Sequence, residues 1–162
     1  RETGELYTAG NASWGQNARP NTPPYYNSSP IYIGNGYKHV TGIPYGGLAI
    51  KNNGTLWGWG RNHDGQTGVG HTNGLSSPTQ IGSLTTWDRF FKGLAADNAA
   101  AVIKSDGTIW GMGSVAGGLD SQASNGYKSS PIQIFSNLTN VKTVAIVSSM
   151  GSTQGAIALV ES

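Results

Sequence analysis

Apolar residues in this chain fall in short runs between turn signals, and the run from Thr55 to Gly60 sets the pattern. Its period-2 alternation puts Leu56 and Gly58 on one face of a strand and Trp57 and Trp59 on the other, the arrangement of a strand buried between stacked sheets. A small residue there lets a neighbouring sheet approach, and an indole fills the gap between sheets. Around this strand the pattern predicts three more: Tyr37 to Gly42, Leu48 to Lys51, and a short one from Thr79 to Ile81. Between the second and third sits Asn53-Gly54, which tolerates the positive φ angles of a two-residue hairpin turn.

The same unit returns along the chain. Lys51-Asn52-Asn53-Gly54-Thr55-Leu56-Trp57-Gly58 is echoed by Lys104-Ser105-Asp106-Gly107-Thr108-Ile109-Trp110-Gly111, and more weakly by Arg1-Glu2-Thr3-Gly4-Glu5-Leu6-Tyr7-Thr8. A second marker keeps the same phase: Ser-Ser-Pro at 28–30, 76–78 and 129–131. Two independent signatures with one period define a repeated supersecondary unit. The strand-final glycines Gly10, Gly60 and Gly113 read as bends or close backbone approaches. First strands are supplied by Tyr37 to Gly42, Phe90 to Ala96 and Val141 to Ile146. Second strands are small and apolar, as in Leu48-Ala49-Ile50, Ala101-Val102-Ile103 and Ala156-Ile157-Ala158-Leu159. Small residues of this kind suit the crowded axis of a propeller.

The expected fold is therefore all-β: β-propeller blades of four antiparallel strands, in about three repeats of ~50 residues that form an arc or part of a ring. One propeller segment covers residues 1–162. Repeat one (1–47) lacks its first two strands, repeat two is 48–100, repeat three is 101–155, and 156–162 begins a further repeat. The chain begins with Arg1 rather than Met, so it is expected to be processed, excised from something longer, or incompletely known. Half blades at its ends would invite pairing with each other, with another copy or with residues beyond them.

Composition narrows the function classes. Charged residues make up 11% and the net charge is only +2 without a basic cluster, so a phosphate-tracking nucleic-acid surface is not indicated. No apolar run reaches the length of a membrane helix, so no membrane role is expected. With no cysteine, disulfides and thiolate metal sites are excluded.

Catalytic chemistry finds no foothold. Asp64, Asp88, Asp97, Asp106 and Asp120 are scattered, and no nucleophile elbow or zincin motif is present. Gly65-x-x-Gly68-x-Gly70 lacks the following helix and Lys-Ser/Thr pair of a phosphate loop and reads as a turn. His63, Asp64 and His71 share one loop and could approach a cation, but nothing like them recurs in the other repeats, and the loop reads as solvated. No catalytic, cofactor or metal site is therefore assigned. Trp57 and Trp110 recur with the repeat and read as inter-blade packing. Trp14 and the pair Tyr25-Tyr26 lie outside the repeat pattern; with His63, Asp64 and His71 they are the candidate partner-contact loops.

Ala101 to Gly111, Asn62-x-x-Gly65-Gln66-x-Gly68 and the Pro-x-x-Ile closing each unit resemble the repeat of the regulator of chromosome condensation family. The resemblance covers nearly the whole chain and implies a propeller, usually of seven blades in the family, so three repeats are too few to close one. The family's best-known member is a nucleotide exchange factor for a small GTPase that also binds chromatin; its functional residues have no match here. The expected function is a non-enzymatic structural or binding module, its partners other proteins or copies of itself. The weakly charged, Gly/Asn/Ser/Thr-rich composition suggests an extracellular or virion assembly such as a phage appendage. The alternative is a regulatory propeller that inhibits an enzyme or acts on a GTPase.

Overall fold

Among the described residues twelve strands form in chain order: β1 (Leu6–Asn11), β2 (Tyr26–Gly34), β3 (Tyr37–Ile43), β4 (Gly46–Lys51), β5 (Leu56–Gly60), β6 (Leu75–Gln80), β7 (Trp87–Phe90), β8 (Ala99–Lys104), β9 (Ile109–Gly113), β10 (Lys128–Ile134), β11 (Val141–Ser148) and β12 (Gln154–Val160). This computed structural model describes residues 4–20, 23–90, 99–114, 127–136, 138, 141–148 and 154–160. Strands β3 to β6 make one four-stranded antiparallel sheet and β7 to β10 a second, each in sequence order, while β1–β2 and β11–β12 are two-stranded pairs. These four-stranded meanders are the expected blades.

Two strand assignments differ from the sequence pattern. The fourth strand of each unit begins earlier than its proline, so Pro30, Pro78 and Pro131 lie inside β2, β6 and β10. All three are outer strands of their sheets, and each pairing with its neighbour carries a register shift near the proline. An edge position leaves the missing N–H without consequence for the ladder. The first strand of the β7–β10 blade is Trp87–Phe90, earlier than the Phe90 to Ala96 expected; residues 91–98 lie outside the described residues. The third-copy loop from Val115 to Asp120 also lies outside them.

The alternation sorts side chains between two interfaces. Leu48, Ile50 and Leu56 face the β7–β10 blade and pack with Trp87, Ala100, Val102 and Met112. Ala49, Trp59 and Tyr37 face the β1–β2 pair and pack with Leu6 and Ala18. Repeat phase is kept throughout: Ala49 corresponds to Val102, Trp59 to Met112 and Tyr37 to Trp87, each turned toward the preceding unit. Both central strands β4 and β8 are buried on both faces, which explains their run of small and aliphatic residues.

Backbone contacts close both ends of each interface through glycines. Gly4 and the hairpin glycine Gly54 hold positive φ (48° and 79°), and their carbonyls accept hydrogen bonds from Tyr37 N and Trp87 N of the following blade, at 3.0 and 3.1 Å. A methyl group at Gly54 would fall onto the Thr85 carbonyl oxygen. At the other end, a methyl at Gly65 would sit 2.6 Å from Ser129 Cα, and Gly70 N donates to Ser129 O at 2.6 Å. These glycines serve the turn and the stacking of blades together.

The tryptophans of β5 and β9 divide their roles in a way the sequence pattern did not separate. Trp59 is 4% exposed and fills the gap to the β1–β2 pair, its indole N–H donating to Gln16 O at 3.1 Å. Trp57, expected in that role, is half-buried, with the Lys51 ammonium 4.2 Å above its ring. Trp110 is likewise half-buried. It packs against the core between the two blades, with Lys104 3.6 Å above it and Trp87 edge-on at 5.9 Å.

A short relay anchors each indole. Trp57 donates to Thr55 Oγ1 (2.8 Å), which donates to Asn53 Oδ1 (2.8 Å); Trp110 donates to Thr108 Oγ1 (3.0 Å), which donates to Asp106 Oδ1 (2.6 Å). In the second relay the Thr108 side-chain hydrogen bond, followed by its backbone N–H, holds the Asp106 carboxyl below its ordinary pKa. A depressed folded pKa contributes stability at neutral pH that disappears as pH falls from about 4 through the folded value. Asp106→Asn is therefore expected to flatten the acid limb of the stability curve measured by urea unfolding. Asn53→Ala, which removes the uncharged counterpart, should lower stability by a similar amount at every pH.

Candidate functional site

The segments joining β1 to β2 (12–25), β3 to β4 (44–45) and β5 to β6 (61–74) emerge at one end of the stacked sheets. Antiparallel pairing of β4 with β5 sets Gly46 opposite Gly60, and Arg61 N donates to Tyr45 O at 2.9 Å. Gly60 follows from this crossing: a methyl there would collide with Tyr45 O and Gly46.

Polar side chains inside the loops hold their shape. Asn62 is fully buried; its amide donates to His71 O (2.7 Å) and Asn73 O (3.1 Å), and its carbonyl oxygen accepts from Thr67 N (3.0 Å). Gln66, also buried, accepts from Asp64 N at 3.0 Å. In the preceding repeat Gln16 keeps that role, accepting from Trp14 N at 2.7 Å, but Ala12 stands where Asn62 does. Both turns close alike, with Gly15 N on Ala12 O and Gly65 N on Asn62 O. The Asn and Gly-Gln elements are thus loop fasteners. Gly68 belongs to the blade interface, since a methyl there would strike Met112 Sδ. That fits the reading of this glycine run as a turn.

Against this frame an aromatic and cationic cluster stands exposed. Trp14 (49% exposed) and His63 meet edge to face at 5.8 Å across the interface between units. The Arg61 guanidinium carbon lies 5.8 Å from the Trp14 ring centre and 5.4 Å from that of Tyr45, itself 52% exposed. Tyr45 has a positive φ of 59°, the cost of a two-residue connection after Pro44. Arg61 and Tyr45 were missed from sequence. The signal for Arg61 was present: Asn11 and Ser114 occupy the equivalent positions, so its charge lies outside the repeat, as Trp14 does.

Of the six sequence candidates, the structure brings Trp14 and His63 together. Asp64, half-buried, lies in the same loop. His71 is turned to its own loop, its Nδ1 accepting from Asn73 N at 3.2 Å. His63, Asp64 and His71 do not converge, and among the described residues no three His, Cys, Asp or Glu side chains are placed to hold a metal ion. Tyr25 and Tyr26 close the 12–25 loop, with Tyr25 O accepting from Ala12 N at 2.7 Å; both rings are exposed, Tyr26 the more so.

Two family models for the regulator of chromosome condensation (RCC1) repeat match the chain, at residues 36–66 and 53–91. Among solved structures, human WBSCR16 superposes with a TM-score of 0.71 at 22% identity, over 89% of this chain and 38% of that one. Prp20p of Saccharomyces cerevisiae, described together with its binding to Gsp1p and histones, gives 0.70 at 15% identity, over 86% and 37%. Yeast RCC1 (Prp20) bound by Kap60 gives 0.70 at 17%, over 87% and 35%. The chain spans under two fifths of the length of each of these structures.

Proposed function

Because the chain carries repeats of the regulator of chromosome condensation family on propeller-like blades, we propose that it is a non-enzymatic protein-binding module whose contact surface is the loop end bearing Trp14, Tyr45, Arg61 and His63. The observation that carries this reading is the composition and exposure of that cluster. Trp, Tyr and Arg are the residues enriched at interface hot spots, because they bring large contact area with few rotatable bonds and a polar handle. Here they project from loops fastened by Asn62, Gln66 and Gln16, so little order remains to be imposed on binding. The similar yeast protein is described with protein partners, Gsp1p, histones and Kap60, which supports the class of function and no particular partner.

A photo-crosslinking residue at His63, with one at Val40 on the outer strand β3 as control, tests the surface in extract of the source. The expected result is an adduct at position 63, identified by mass spectrometry, that disappears on Trp14→Ala and is absent at position 40. Equal adducts at both positions, or none, would remove this face from the function. The partner's identity sorts the uses. Structural particle proteins would fit an extracellular or virion assembly, which composition suggests; a single stoichiometric enzyme or GTPase would fit a regulator.

A further inference from the structure

The geometry points to Arg61 as a carboxylate receptor for an acidic segment of the protein that docks on this face; the inference rests on the contact surface proposed above. Three observations converge on it. The guanidinium is within reach of two half-exposed rings, Trp14 and Tyr45, and its backbone N–H is tied to Tyr45 O, so its position is set from both ends. Its Nε is sealed from solvent with no hydrogen-bond acceptor, and no carboxylate lies within ion-pair distance among the described residues. By contrast, Lys38 and Arg89 both pair with Asp88. The fold itself does not call for a cation here, since Asn11 and Ser114 take the same place in the other repeats.

A buried donor without a partner is costly, and natural chains keep such groups where another purpose holds them. Among the described residues the two terminal nitrogens have no hydrogen-bond or ion-pair partner, and they are not among the sealed atoms. They offer the parallel pair of donors that a planar carboxylate accepts end-on, with the rings as walls for the carbons of a Glu or Asp side chain. A nucleic-acid backbone would need a row of cations. Lys51 and Lys104 stand at the far ends of β4 and β8, over aromatic rings, and the other cation described in these loops, Arg19, is engaged with Asn27 Oδ1 at 3.3 Å. One oriented guanidinium between aromatics suits a side-chain carboxylate.

The test uses the full 162-residue chain. Fluorescence anisotropy would follow a labelled Glu/Gly peptide, its Gln/Gly counterpart, and a single-stranded oligonucleotide of equal charge. Binding of the Glu peptide is expected to weaken about tenfold or more in Arg61→Gln and nearly as much in Arg61→Lys, because an ammonium lacks the planar fork. Lys104→Gln should leave it unchanged. Thermal unfolding of Arg61→Gln at or above the wild-type temperature would show that the loss is not one of folding. Absent binding near millimolar peptide, equal loss in Lys104→Gln, or tighter oligonucleotide binding through Arg61 would each overturn the inference. An adduct at position 63 that survives Arg61→Lys and is lost in Trp14→Ala would overturn it and leave the contact surface standing. An adduct untouched by either would sink both.

Discussion

Gly54→Ala is expected to cost about 4 kcal/mol or more of unfolding free energy, while Gly36→Ala costs only about 1–2 kcal/mol. Both glycines have φ of 79°, so the left-handed penalty is common to them. A methyl at Gly36 meets nothing within 4 Å, whereas at Gly54 it overlaps the Thr85 carbonyl of the next blade. The extra cost therefore measures blade stacking. The overlapped atoms are backbone, which cannot rotate aside, and retreat would stretch the 3.1 Å hydrogen bond from Trp87 N to Gly54 O. Urea unfolding of the two variants beside the wild type checks the difference. Equal losses would mean that Gly54 serves the hairpin alone and that the blades stack without that contact.

The turn role of Gly54 was readable from Asn53-Gly54, because a tight hairpin is a local demand on φ. Its stacking role was not, because Thr85 is distant in sequence. The same division runs through the molecule. Alternation in Leu48-Ala49-Ile50 and in Leu56 to Trp59 separated the two faces of the blade correctly, since side-chain direction along a strand is local. Which of Trp57 and Trp59 is buried depends on where along β5 the neighbouring unit lies, and repetition alone favoured the wrong one. The contact cluster was half legible. Trp14 and His63 stood out against the repeat, but their meeting, and the recruitment of Tyr45 and Arg61, depends on β4–β5 pairing and on two units packing side by side. His63 and His71 were grouped because they are close in sequence. The loop winds around the buried amide of Asn62, His63 meets Trp14 and His71 bonds within its own loop, so sequence proximity does not gather them into a metal-binding group.

Trp59→Ala should destabilise the chain by about 3–5 kcal/mol, against about 1 kcal/mol for Trp57→Ala. Removing the buried indole empties the gap between β5 and the β1–β2 pair, a site walled by Leu6, Ala18 and Ala49. Collapse into the space is hindered because Gly47 already lies against the ring and has no side chain to move in. Truncating Trp57 removes a half-buried ring and its contact with Lys51, both open to water. Chemical denaturation of the two variants distinguishes these cases. The larger loss should also reach the contact surface: Trp59 Nε1 bonds Gln16 O, and Gln16 Oε1 fixes Trp14 N. Under native conditions Trp59→Ala is therefore expected to weaken crosslinking from position 63, and Trp57→Ala to leave it unchanged. If Trp57→Ala proved the more damaging in both measurements, the blade face would be held by the outer indole, and the link from core packing to the contact loops would be broken.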